Sequence, residues 1–120
     1  DTLDEKRKAV FNCLKGLLKR EIDAKLRMTE IMGNKGTNYE FTLFTMMSFL
    51  RDVMIASRFG RKAILQNPDF KEEIGVLGRD IGYYRAVRCL EIVDECYKNL
   101  RRNAAPDITI DSMLIQLRES

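Results

Sequence analysis

The 120-residue chain contains no histidine. That excludes Ser-His and Cys-His nucleophilic pairs and every histidine-ligated metal arrangement. Cysteine is also scarce: Cys13, Cys89 and Cys96 are an odd count with no Cys-x-x-Cys spacing, so neither a paired disulfide framework nor a structural zinc site is expected. Cys89 and Cys96 would stand two turns apart on one helix, roughly 10 Å of rise, too far for a disulfide. Reduced core thiols follow. No apolar run approaches the roughly 20 residues of a membrane span; Leu43 to Leu50 is broken by Thr45 and Ser48 and followed by Arg51 and Asp52. No low-complexity linker divides the chain, no internal repeat is visible, and no signal or transit segment is read at the start, so the expected location is cytoplasmic. The chain opens on Asp1 instead of Met and is expected to be a piece of a longer protein.

Nucleotide chemistry is not expected either. A phosphate-binding loop needs a glycine-rich turn ending in Gly-Lys-Ser or Gly-Lys-Thr after a strand. The nearest fragment, Asn34-Lys35-Gly36-Thr37, lacks the upstream glycine and sits between predicted helices. Gly75, Gly78 and Gly82 do not match a dinucleotide fingerprint and read as turn or packing glycines. Neighbouring carboxylates, Asp94 with Glu95 and Glu72 with Glu73, diverge by about 100° on a helix and read as surface charge. No catalytic residue, cofactor, metal or small-molecule substrate is expected.

What is present is helical periodicity at 45% hydrophobic content. Thr2 with Glu5 fits a capping box ahead of Val10, Leu14 and Leu17, predicting a first helix to about Leu18. Ile22 with Leu26, and Met28 with Ile31 and Met32, extend or restart it until Gly33. Thr37 with Glu40 repeats the cap before the strongest segment, where Leu43, Met47, Leu50 and Met54 form a stripe widened by Phe41, Phe44, Phe49 and Val53. A helix apolar on so many sides should be central. Gly60 is its terminator. After Asn67-Pro68, Asp69 with Glu72 gives a weaker cap for Phe70, Ile74, Leu77 and Ile81, a piece expected to be short or frayed because each interior glycine costs a helix about 1 kcal/mol. Tyr83 to Arg102 carries Ala86, Leu90, Val93, Tyr97 and Leu100 on one face, with Asn103 and Pro106 as its stop. Ile110, Met113, Leu114 and Leu117 predict a last helix of about three turns. The fold class is all-α: one domain over residues 1–120, a compact bundle of five or six helices.

The Lys and Arg residues number 21 against 18 Asp and Glu, with the signs interspersed. The clusters Lys6-Arg7-Lys8, Arg58 with Arg61 and Lys62, and Arg101-Arg102 are short and read as solvated faces, not as an aromatic-interleaved platform for single strands. Met46, Met47 and Met54 read as core more than as an adaptable binding surface.

The stretch Asn103-Ala104-Ala105-Pro106-Asp107, preceded by Asn99-Leu100-Arg101-Arg102 and followed by the aliphatic run to Leu117, resembles the end of the delta-prime subunit family of the bacterial DNA polymerase III clamp loader. Phe49-Leu50-Arg51-Asp52 and Leu65-Gln66-Asn67-Pro68-Asp69 occur at similar places in that family, so the resemblance spans most of the chain. The segment Gly75 to Tyr84 does not match the family's pattern. The resemblance implies a collar domain, the helical part through which five clamp-loader subunits join in DNA replication, without chemistry of its own. It implies the gamma, tau and delta subunits as partners, and DNA only indirectly through the complex. The candidate subunit interface is the last helix, at Ile110, Met113, Leu114, Ile115 and Leu117, with Ile115 expected to point outward. The competing reading is a helical nucleic-acid-contacting domain that uses the dispersed basic clusters.

Overall fold

The computed structural model describes residues 2–33 and 39–120. Six helices follow in order: α1 (Thr2–Leu18), α2 (Ala24–Met32), α3 (Tyr39–Phe59), α4 (Lys71–Ile81), α5 (Tyr83–Arg101) and α6 (Pro106–Glu119). Two 3-10 turns, Gly60–Lys62 and Pro68–Phe70, lie between α3 and α4, and there is no strand among the described residues. The all-α bundle predicted from periodicity is the fold observed.

The helix ends follow local chemistry. α1 and α5 close in the same way, with a left-handed residue past the last turn. Arg20 has φ 60° and Asn103 has φ 67°. Glu21 N–H reaches Gly16 O at 2.9 Å and Arg20 N–H reaches Leu17 O at 3.0 Å; at α5, Ala104 N–H reaches Asn99 O and Asn103 N–H reaches Leu100 O, both at 3.1 Å. These paired bonds satisfy carbonyls that a helix end otherwise leaves open. Gly82, at φ 80°, is the single residue between α4 and α5. Pro106 stands at the first turn of α6, where its missing N–H costs nothing.

The caps fare differently. Thr2 already lies within α1. Asp69 makes no cap bond to α4 and instead faces Arg7 of α1, at 3.0 Å. The cap at Thr37, like the Asn34 to Thr37 fragment, lies outside the described residues.

α3 is central and packs against α1, α2, α4 and α5. The apolar positions read from the sequence are buried in part. Leu43 and Leu50 are fully buried, as are Met46, Phe49 and Val53, while Met47 and Met54 are half-buried and Phe44 is 47% exposed. Phe49 anchors an aromatic cluster, its ring centroid 4.8 Å from that of Phe11 and 5.0 Å from that of Phe70. Ile22 and Leu26, expected to continue the first helix's apolar stripe, are 90% and 64% exposed. The turn at Arg20 resets the helical phase, so that Ala24, Met28 and Met32 become the buried side of α2.

α4 is not frayed; it runs unbroken through Gly75 and Gly78. A Cβ on Gly78 would lie 3.1 Å from both Ser57 N and Val53 O of α3. The glycine lets two helix backbones approach, and that packing offsets its intrinsic cost.

Contacts fix the helix directions. Arg7 of α1 and Lys19 just past its end meet Asp69 and Asp80 respectively, and Phe49 and Ser57 of α3 meet Phe70 and Gly78. α1, α3 and α4 therefore run the same way. α5 runs back along α3, from Tyr83 under Arg58 to Tyr97 against Phe44. α6 returns along α5, with Thr109 beside Cys96 and Ser120 beside Cys89. The carboxyl ends of α1, α3, α4 and α6 thus gather with the amino end of α5 at one end of the bundle.

Candidate functional site

α6 packs against α5, α1 and α2, and an ion pair between Lys25 and Asp111 ties it to α2. Three partners within the chain are enough to cover a broad stripe. Ile110, Met113, Leu114 and Leu117, at i, i+3, i+4 and i+7, are all buried, the least covered at 5% exposure. Of the five residues assigned to an interface, these four belong to the chain's own core. Ile115 is 39% exposed, as its outward placement predicts.

A residue that sequence reasoning missed joins it. Ile108 is 74% exposed, seven residues before Ile115 and therefore on the same side of α6, opposite the buried stripe. The i, i+7 spacing was the available signal. Between them on that face lie Asp111 and Ser112, both exposed. Ile108 also borders two grooves. One, between α5 and α6, is lined by Ile92, Glu95, Asn99 and Ser112 (about 240 Å³); the other, between α2 and α6, by Thr29, Met32 and Ile110 (about 410 Å³). The outward face of α6 is thus apolar at two points, polar between them, and flanked by shallow depressions.

A larger groove of about 490 Å³ runs between α3 and α5. Phe44, Met47 and Leu90 supply apolar surface, with Arg51 and the pair Glu91 and Asp94 also lining it. Phe44 is held by Tyr97, ring centroids 4.9 Å apart.

The two central segments of the resemblance are one piece in space. Asp52 is fully buried on α3, and its carboxylate accepts hydrogen bonds from Gln66 N–H at 2.9 Å, Asn67 N–H at 2.8 Å and Asn67 Nδ2 at 2.9 Å. Asn67 Oδ1 in turn accepts from Arg7 Nη2 at 2.8 Å. Arg7 is further held by Asp69 at 3.0 Å and Asp4 at 3.1 Å, with its guanidinium 5.4 Å from the Phe70 ring centre. The hydrogen bond from Arg7 holds the Asp69 carboxyl below its ordinary range, and Asp69 and Asp4 hold Arg7 above its own.

The thiols are poor nucleophiles. All three are free and buried. Burial pushes Cys96 up to about 11 and raises Cys13 and Cys89 as well; at Cys89 the Ser120 hydroxyl and the charge of Arg85 oppose the rise. A thiol so shifted carries little thiolate at neutral pH. Among the described residues no group of three or more Cys, Asp or Glu side chains is placed to hold a metal ion. No described helix is long and apolar enough to cross a membrane.

The basic clusters separate. Arg7 of the first turns inward to the network just described. Arg58 of the second lies over the Tyr83 ring, 4.4 Å from its centre. Arg101 and Arg102 are exposed at the close of α5, and Asp94 of the acidic pairs is bound to Lys98 at 3.0 Å. Met46 is fully buried, with Met47 and Met54 packed against the core. No family model, curated protein or solved structure matches the chain.

Proposed function

We propose that this domain is a protein–protein assembly module of the clamp-loader collar type, joining a delta-prime-like subunit to gamma, tau and delta partners, and that it performs no chemistry itself. The observation that carries the reading is the outward face of α6. Ile108 and Ile115 stand exposed two turns apart on the helix that carries the clearest part of the resemblance. An exposed aliphatic pair at i, i+7, flanked by grooves and rimmed by polar groups, is the form in which a helix offers itself to a neighbouring helical domain. Further support comes from Asp52, whose bonds to Gln66 and Asn67 join the 49–52 and 65–69 segments of the resemblance into one structural unit.

Substitution separates interface from core, because a core change lowers stability while an interface change lowers affinity. Ile115→Asp, alone and combined with Ile108→Asp, places an unpaired carboxylate on the outward face. Thermal unfolding should stay near that of the parent, while capture of the gamma or tau subunit by the full-length protein should weaken clearly, since a desolvated unpaired charge is costly. Undiminished capture by the double variant removes this face from the interface. A collapse of the melting transition would instead make the face part of the fold.

A further inference from the structure

The end of the bundle where four helix carboxyl ends meet the start of α5 carries positive charge in excess and exposed aromatic rings. Arg58 lies 4.4 Å from the centre of the Tyr83 ring, and Tyr83 meets Tyr84 edge-on with centroids 5.5 Å apart. Tyr84 is 84% exposed, and Phe59 beside Arg58 is 63% exposed. Arg61 and Lys62 follow in the next 3-10 turn, Arg79 stands in the last turn of α4, and Arg88 shares a helix face with Tyr84 at i, i+4. Among the described residues none of these five cations is ion-paired; of the acids at this end, Asp80 and Glu21 are engaged by Lys19 and Arg27, and Glu119 stands exposed at the close of α6.

The same end continues to the close of α1 and α6. Arg20 donates to Ser120 O at 3.1 Å, Arg118 to Arg20 O at 3.4 Å, and Arg85 Nε to Ser120 Oγ at 3.3 Å, while Arg85 Nη2 is buried without a hydrogen-bond partner. Cations in the last turn of a helix complement its dipole, which gives a structural reason for Arg58, Arg79 and Arg118. It gives none for Arg85 and Arg88, which stand in the first turns of α5, where the dipole is itself positive. Nor does it explain an exposed tyrosine set edge-on beside the ring that Arg58 covers.

We infer that this end is a binding surface for single-stranded nucleic acid, with Arg61, Lys62, Arg79 and Arg88 contacting phosphates and Tyr84 stacking on a base. Charge alone would serve any polyanion. Exposed rings interleaved with guanidinium groups serve a strand whose bases are unpaired, because every base offers a face to stack on. The inference is independent of the assembly role of α6, whose outward face lies elsewhere on the molecule.

Fluorescence anisotropy with labelled oligothymidine and oligouridine of about 20 nucleotides tests it, long enough to cover one site. Binding should weaken with salt, by roughly 50-fold between about 50 and about 200 mM if four phosphates are held. Arg61→Glu combined with Lys62→Glu should weaken it at least about tenfold, by exchanging attraction for repulsion. Tyr84→Ala, at a side chain too exposed to matter for folding, should weaken it about tenfold. Lys6→Glu with Lys8→Glu, at the opposite end, should change it less than about threefold, and circular dichroism should be unaltered throughout. The proposal is overturned by no binding at low salt, or by an affinity indifferent to Tyr84→Ala and matched by heparin, polyglutamate or phosphatidylserine vesicles.

Discussion

Asp52 is the residue whose role is least visible from its surroundings in the sequence. It falls within an apolar helix, and its burial makes sense only because three donors from Gln66 and Asn67 converge on it. Asp52→Ala should destabilise the fold by on the order of 3 kcal/mol, since it leaves the buried Asn67 N–H and the part-buried Gln66 N–H without their acceptor. Asp52→Asn keeps one acceptor oxygen and should fall between. A urea titration in which the alanine variant loses under about 1 kcal/mol would show the loop to be held by other contacts. Asp69 gives the same network a pH signature. Its carboxyl is depressed below the ordinary 3.8 by Arg7, so the stability it adds is present above that value and is lost as pH falls through the depressed one. The effect should be small, because the Asp69 carboxylate is half exposed and solvent screens the pair.

At the scale of the element, α4 carries two glycines with opposite meanings. Nothing lies within 4 Å of a Cβ on Gly75, whereas one on Gly78 meets α3 backbone atoms at 3.1 Å. Gly75→Ala should stabilise by about 1 kcal/mol through helix propensity. Gly78→Val should destabilise by about 1 to 3 kcal/mol, because α4 must move away from α3. Thermal melts that rank the two in the reverse order would mean that the helices pack differently. Nothing local tells these glycines apart, since both sit at plausible helical positions and only the neighbouring helix distinguishes them. α6 teaches the same point. The spacing of Ile110, Met113, Leu114 and Leu117 makes a helix stripe legible, but not whether the stripe meets α1, α2 and α5 or another chain.

For the whole molecule, the three buried thiols report on cooperativity. Cys13 lies on α1 and Cys89 and Cys96 on α5, all within one continuous core. An aromatic disulfide reagent should therefore modify none of them quickly in the native state, and all three together once urea unfolds the domain. Rapid native-state reaction of one thiol alone would reveal an element that opens independently.

The helical class and most of the helix ends were determined by the sequence itself, because these depend on forces acting within a few residues: apolar spacing at 3.6, the Gly33 and Gly60 terminators, and the Asn103 and Pro106 stop. Tertiary structure decided which faces are buried. It left Met47, Met54 and Phe44 of the α3 stripe partly exposed, turned Ile22 and Leu26 outward, and left Ile108 and Ile115 exposed on α6. It also made an aromatic and basic surface from residues 25 positions apart, setting Arg58 over Tyr83. Burial and charge clustering depend on which helices become neighbours, and neighbours distant in the chain are chosen by the packing of the whole core, not by any one segment's pattern.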